Sequence, residues 1–97
     1  MSVKVGFFWY KPEQYSLFLV VSEDRDTLPD GYAEWLAEAE KGLSDLRRRG
    51  VDAVKVECDL MEFLSWCAKR GCRVNSNSRS QYASETLYKR SLQKSSR

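Results

Sequence analysis

A chain of 97 residues with 42% hydrophobic and 31% charged side chains is sized for one core and composed like an ordinary globular domain, which excludes several domains and disorder of the whole chain. It has no histidine, so Cys–His catalysis is excluded and no cysteine set can be completed to a mixed zinc site. The net charge of +2 hides an asymmetry: residues 1–72 carry ten Lys and Arg against thirteen Asp and Glu, whereas residues 73–97 carry six against one.

In chain order, Val3 to Tyr10 is rich in β-branched and aromatic residues and stops at Lys11-Pro12, which predicts a strand. Its second half is apolar on both faces, as expected of a strand covered on both sides. Gly6 inside it marks a bulge or the close approach of another backbone. For residues 12–22, Pro12 at a first turn and Tyr15, Phe18, Leu19 and Ser22 at helical spacing predict a helix. The run Leu17 to Val21, taken alone, would suit a strand hairpinned onto the first. Ser22 to Asp26 is an acidic loop.

From Tyr32 to Leu46 the apolar residues Tyr32, Trp35, Leu36, Ala39, Leu43 and Leu46 recur every three or four positions, so a second helix buries that face. Thr27 or Asp30 is its expected N-cap and Gly50 its stop. Val54, Val56 and Cys58 then alternate with Lys55 and Glu57, predicting a strand with one buried face. Asp59 followed by Glu62 is an acidic capping pair opening a third helix, with Leu60, Phe63, Leu64 and Cys67 inward and Gly71 as its end. Cys72-Arg73-Val74 is at most a minor strand, and Asn75 to Ser78 is a turn. A last helix over about 78–92 would turn Tyr82, Ala83, Leu87 and Tyr88 inward, with 94–97 a disordered basic tail beyond a single domain over 1–93. Connections of these lengths cross over instead of turning back. The expected fold is α/β, a two-to-three-stranded, mainly parallel sheet with helices on both sides, in the order β-α-α-β-α-(β)-α.

The runs D-G-Y-A-E-W-L-A-E-A-E, G-V-D-A-V-K-V and D-L-M-E-F-L-S-W-C-A-K-R-G, with F-W-Y near the start, resemble a group of small uncharacterised bacterial proteins. That resemblance implies one compact α/β domain and no activity.

No apolar run reaches the length of a membrane span and the first residues lack a signal-peptide pattern, so a cytoplasmic location is expected. Cys58, Cys67 and Cys72 are odd in number and lack C-x-x-C spacing, which favours reduced core thiols over a disulfide or metal set. Asp52, Glu57, Asp59 and Glu62 gather in sequence around the end of the second strand. A magnesium site for phosphoryl transfer or nuclease chemistry would draw on Glu57, Asp59 and Glu62 with Lys55 beside them. Capping and outward alternation explain these acids more simply, so no metal or cofactor is expected. The basic end offers Arg73, Arg79, Lys89 and Arg90 interleaved with Tyr82 and Tyr88, a composition found at nucleic-acid surfaces but also in any solvated helix.

Three tryptophans, five tyrosines and four phenylalanines are a large aromatic load for so small a core, and a surplus marks an interface. The leading expectation is therefore a non-enzymatic interaction or regulatory module forming a homodimer, with Phe8, Trp66 or the segment from Tyr15 through Phe18 to Val21 at its interface. A nucleic-acid binder acting through the basic last helix stands second, and a metal-dependent enzyme third.

Overall fold

The structure, a computed structural model, describes residues 3–95. Strand β1 (Val3–Tyr10) leads through a 3-10 turn (Pro12–Gln14) into the short helix α1 (Tyr15–Val21). A second 3-10 turn (Arg25–Thr27) precedes α2 (Tyr32–Arg48), followed by strand β2 (Val51–Cys58), α3 (Leu60–Arg70) and α4 (Ser76–Ser95). The segment that read as helix or strand is helical. Its tyrosine hydroxyl accounts for part of the fixing: Tyr15 donates to the Pro29 carbonyl at 2.6 Å, tying α1 to the loop that enters α2.

β1 and β2 form one parallel pair, with Val3 opposite Val51 and Tyr10 opposite Cys58. The sheet among the described residues is two-stranded. Cys72 to Val74 forms no strand; its one ladder-like bond is the Glu23 amide donating to the Val74 carbonyl at 2.8 Å.

Helices cover both faces, and the alternation of β1 assigns them. Phe7 and Trp9 point toward α2, where the Phe7 ring lies against Gly42 and the Trp9 ring sits 5.0 Å from that of Trp35. Gly6 and Phe8 point the other way, where Phe8 meets Phe18 of α1, Phe63 of α3 and Tyr82 of α4 at 5.1 to 6.2 Å between ring centres. Most of these pairs are edge-to-face, the arrangement that the ring quadrupoles favour. In β2, Val56 and Cys58 are buried as the alternation predicts, but Ala53 is also buried and Val54 only half-buried. Both faces of this strand are covered near its start, so it has no single buried side there.

At Gly6 the backbone of α4 comes close to that of β1. A methyl group built there would lie 2.7 Å from the Ala83 carbonyl oxygen of α4. Close backbone approach, not a bulge, is therefore what the glycine provides, and Ala83 is fully buried against it.

Local end signals act as the sequence implies at several points. Asp59 accepts from the Glu62 amide at 3.1 Å and caps α3. The Gln14 side chain completes that cap, donating to Asp59 at 3.0 Å and accepting from the Leu60 amide at 2.9 Å. Gly71 takes φ 67° and ends α3 with the Cys72 amide donating back to the Cys67 carbonyl, a Schellman-type closure. Gly50 takes φ 87° after α2.

Two start signals lie elsewhere than expected. Helix α2 begins after Gly31, not Thr27 or Asp30, because the Thr27 hydroxyl is used in its own 3-10 turn, donating to the Asp24 carbonyl at 2.8 Å. α4 begins at Ser76, where Asn75 and Ser78 cap one another reciprocally at 3.0 and 3.1 Å. It continues to Ser95, so the helix takes in the first two residues of the segment 94–97 expected as a tail. Ser96 and Arg97 lie outside the described residues. Of the α4 residues expected inward, Ala83 is buried and Tyr82 and Leu87 half-buried, but Tyr88 is 65% exposed.

Candidate interaction surfaces

The aromatic surplus is absorbed more fully than the composition suggests. Phe8, Tyr15 and Phe18 are core side chains at 9%, 2% and 0% exposure. Their rings pack against one another and against Tyr10 and Phe63 within one chain, so the surface expected of them at an interface is small. Each sits between several elements, which sequence spacing does not reveal. Trp66 is half-buried on α3, stacked on Phe63 and edged by Tyr82, with Arg70 4.7 Å above its ring.

Beside Ser16, what α1 exposes is aliphatic. Leu17, Val20 and Val21 are 53%, 71% and 38% exposed, on a helix whose seven residues include no charged side chain. A helix apolar on nearly every side normally belongs in a protein interior. Here Tyr15, Phe18 and Leu19 are buried and the opposite side is bare. The sequence carries this signal in the unbroken apolar run from Leu17 to Val21, which is longer than one buried helix face requires.

A second surface lies between α3 and α4, a cleft of about 610 Å³ lined by Met61, Trp66, Lys69, Arg70, Tyr82 and Lys89 among others. Its central cation is already engaged: Arg70 grips Glu85 through two hydrogen bonds of 2.5 and 2.7 Å, and the Trp66 indole N–H points at the same carboxylate at 3.4 Å. These contacts hold the Glu85 carboxyl below its ordinary value, the hydrogen bonds from Arg70 foremost.

The third is a groove of about 300 Å³ lined by Val5, Gly6, Phe7, Phe8 and Tyr10 of β1, by Leu28 and Trp35, and by Ser76, Arg79 and Ser80.

The four basic residues expected at a nucleic-acid surface do not gather. Arg79 is turned inward, its side chain 8% exposed and its guanidinium paired with Asp24 at 2.5 and 3.1 Å. Burial is the strongest influence on the Asp24 carboxyl and pushes its pKa up, but the hydrogen bonds and charge of Arg79 outweigh it and hold the value below the ordinary one. Arg73 is bound to Glu23 at 2.5 Å. Lys89 and Arg90 remain exposed on α4. Arg79 reaches a partner fifty-five positions away, so no local pattern marks it as a core ion pair.

The carboxylates proposed for a metal are likewise spread among other tasks. Asp59 caps α3, Lys55 pairs with Glu40 at 3.2 Å and lies over the Trp9 ring at 4.5 Å, and Glu57 is exposed. Among the described residues, Glu57, Asp59 and Glu62 are not brought together into a group of three metal-ligating side chains. Cys58 and Cys67 are buried thiols, pushed up to about 12 and about 11 by burial, and Cys72 is half-buried.

No protein-family model, curated protein or solved structure matched the chain in comparison. No helix among the described residues is long and apolar enough to cross a membrane.

Proposed function

We propose that the protein is a non-enzymatic interaction module that self-associates as a two-fold homodimer through the outer face of α1. The observation that carries it is the uncharged helix with Leu17, Val20 and Val21 exposed opposite its buried side. Fully burying an aliphatic side chain of this kind contributes about 1.5–3 kcal/mol. A two-fold axis covers each such residue twice with a single set of substitutions, the reason two-fold dimers are the commonest oligomers. The face is anchored well enough to serve: α1 is held below by Phe18 against Phe8 and Phe63, and at its start by Gln14 on the α3 cap.

Light scattering coupled to size exclusion tests this. The wild-type chain should have the mass of two chains at micromolar concentration, and Val20→Glu should return it to one while leaving the unfolding midpoint nearly unchanged, because Val20 packs on little within its own chain. A single-chain mass across the accessible concentration range would overturn the reading, as would a dimer indifferent to Val20→Glu and Leu17→Lys together.

A further inference from the structure

The groove along β1 is an edge, not a face. Successive strand residues point to opposite sides of a sheet, so a cavity touching Val5, Gly6, Phe7 and Phe8 while touching no residue of β2 can reach all four only from the side where β1 has no neighbouring strand. A parallel ladder turns the backbone groups of alternate residues away from the partner strand. Among the described residues, no amide or carbonyl of β1 has a hydrogen-bond partner outside β2, in any turn, cap or side chain; the Trp9 backbone also meets the Cys58 thiol, which belongs to β2 itself. β2 differs, since Arg47 donates to its Ala53 carbonyl from Nε and Nη2 at 3.2 and 3.0 Å.

Unpaired edges are usually blunted by proline, a bulge, a charge or a covering element. The β1 edge from Val5 to Tyr10 carries no proline, bulge or charged residue of its own; it is half-buried from Val5 to Phe7 and covered from Phe8 to Tyr10, which are 9%, 6% and 2% exposed. It is instead recessed between two walls. Leu28 and Trp35 form an apolar wall; Ser76, Ser80 and Arg79 form a polar one. The single ionised side chain there, Arg79, is balanced by Asp24, so the groove presents hydroxyls and backbone dipoles but no net charge.

We propose that this edge is a docking groove for one extended, uncharged peptide strand that pairs with β1 and carries apolar residues on one side and hydroxyl residues on the other. Backbone hydrogen bonds would provide the attachment and the two unlike walls the choice of side chains, the division of labour usual in strand addition. Its shape separates this occupant from a second copy of the chain. Two identical recessed edges brought together meet at their walls first, whereas a lone peptide has no walls. The surface is also distinct from the α1 face invoked for self-association, and each can fail without the other.

The probe is an acetylated and amidated hexapeptide of alternating valine and threonine, added to the isotope-labelled full chain, with amide exchange followed by NMR. Protection scales with one plus the ratio of ligand to Kd, so at ten times Kd one alternating set of β1 amides should slow about tenfold. Two variants of the peptide isolate the cause without altering the protein. In one, only the valine amides are N-methylated; in the other, only the threonine amides. Alternate amides of an extended chain face the same edge, so one variant should lose the protection and the other keep it. Equal behaviour of all three peptides, or no protection up to their solubility limit, would overturn the proposal. So would outward β1 amides already protected in the bare chain at a mass of two chains, which would place a second copy on the edge.

Discussion

Alanine at Gly6 and alanine at Gly42 are the same chemical change with opposite expected signs, and the difference rests entirely on what each position faces. At Gly6 the added methyl would stand 2.7 Å from the Ala83 carbonyl oxygen, 3.0 Å from its carbon and 3.3 Å from a Val56 methyl. Ordinary carbon contacts lie near 3.5–4.0 Å, so α4 must lift off β1 by several tenths of an ångström, and what must yield is backbone. Overpacking of this kind costs about 1–3 kcal/mol, offset by about 0.4–1 kcal/mol from the stiffer unfolded chain. A net loss of about 1–2 kcal/mol follows. At Gly42, in the middle of α2, the methyl would meet only the Phe7 ring at 3.7 and 3.8 Å. That is ordinary contact, and replacing a mid-helix glycine should stabilise by up to about 1 kcal/mol. Urea unfolding followed by tryptophan fluorescence and far-ultraviolet circular dichroism measures both, with an unchanged slope confirming that only stability moved. A Gly6→Ala chain as stable as wild type would mean that α4 does not seat on β1 at Ala83, and the packing of the whole second face would have to be redrawn.

Trp35→Ala should cost about 3–5 kcal/mol, the range for deleting a large buried aromatic, because its ring contacts those of Trp9, Tyr10, Tyr15 and Tyr32; a loss below about 1 kcal/mol in the same urea assay would contradict that packing. Asp24→Asn should cost roughly 3 kcal/mol by leaving the near-buried Arg79 without its counter-charge. The folded-state pKa of Asp24 is lowered, so its contribution is present above the ordinary aspartate value of about 3.9 and is lost as pH falls through the lower folded value. The acid limb of the stability profile should accordingly flatten in Asp24→Asn, and an unchanged limb would refute the assignment. Alkylation of the native chain near neutral pH, read by mass spectrometry, should modify the half-buried Cys72 well before Cys58 and Cys67, whose burial both shields the sulfurs and disfavours their thiolates.

The features legible in the sequence are those decided within a few residues. The apolar spacing from Tyr32 to Leu46, the cap at Asp59 with its acceptor role toward Glu62, and the glycines at 50 and 71 concern backbone groups that must be satisfied locally, so the residues that satisfy them stand close together in the chain. Gly6 was legible as a constraint because a strand interior loses packing and entropy at a missing side chain, a loss worth bearing only where the backbone bends or another backbone comes close. The element order and the parallel pairing followed from the lengths of the connections.

Tertiary structure alone decided which apolar and charged groups remain at the surface. Phe8, Tyr15 and Phe18 are buried because α1, α3 and α4 converge on one end of β1, and Arg79 is buried because Asp24 waits fifty-five positions earlier to neutralise it. The bare sides of Leu17, Val20 and Val21 and the strand edge of β1 that no second strand pairs among the described residues belong to the same class. Exposure is set by what the rest of the chain fails to cover, a property of distant elements that the spacing of neighbouring residues does not encode.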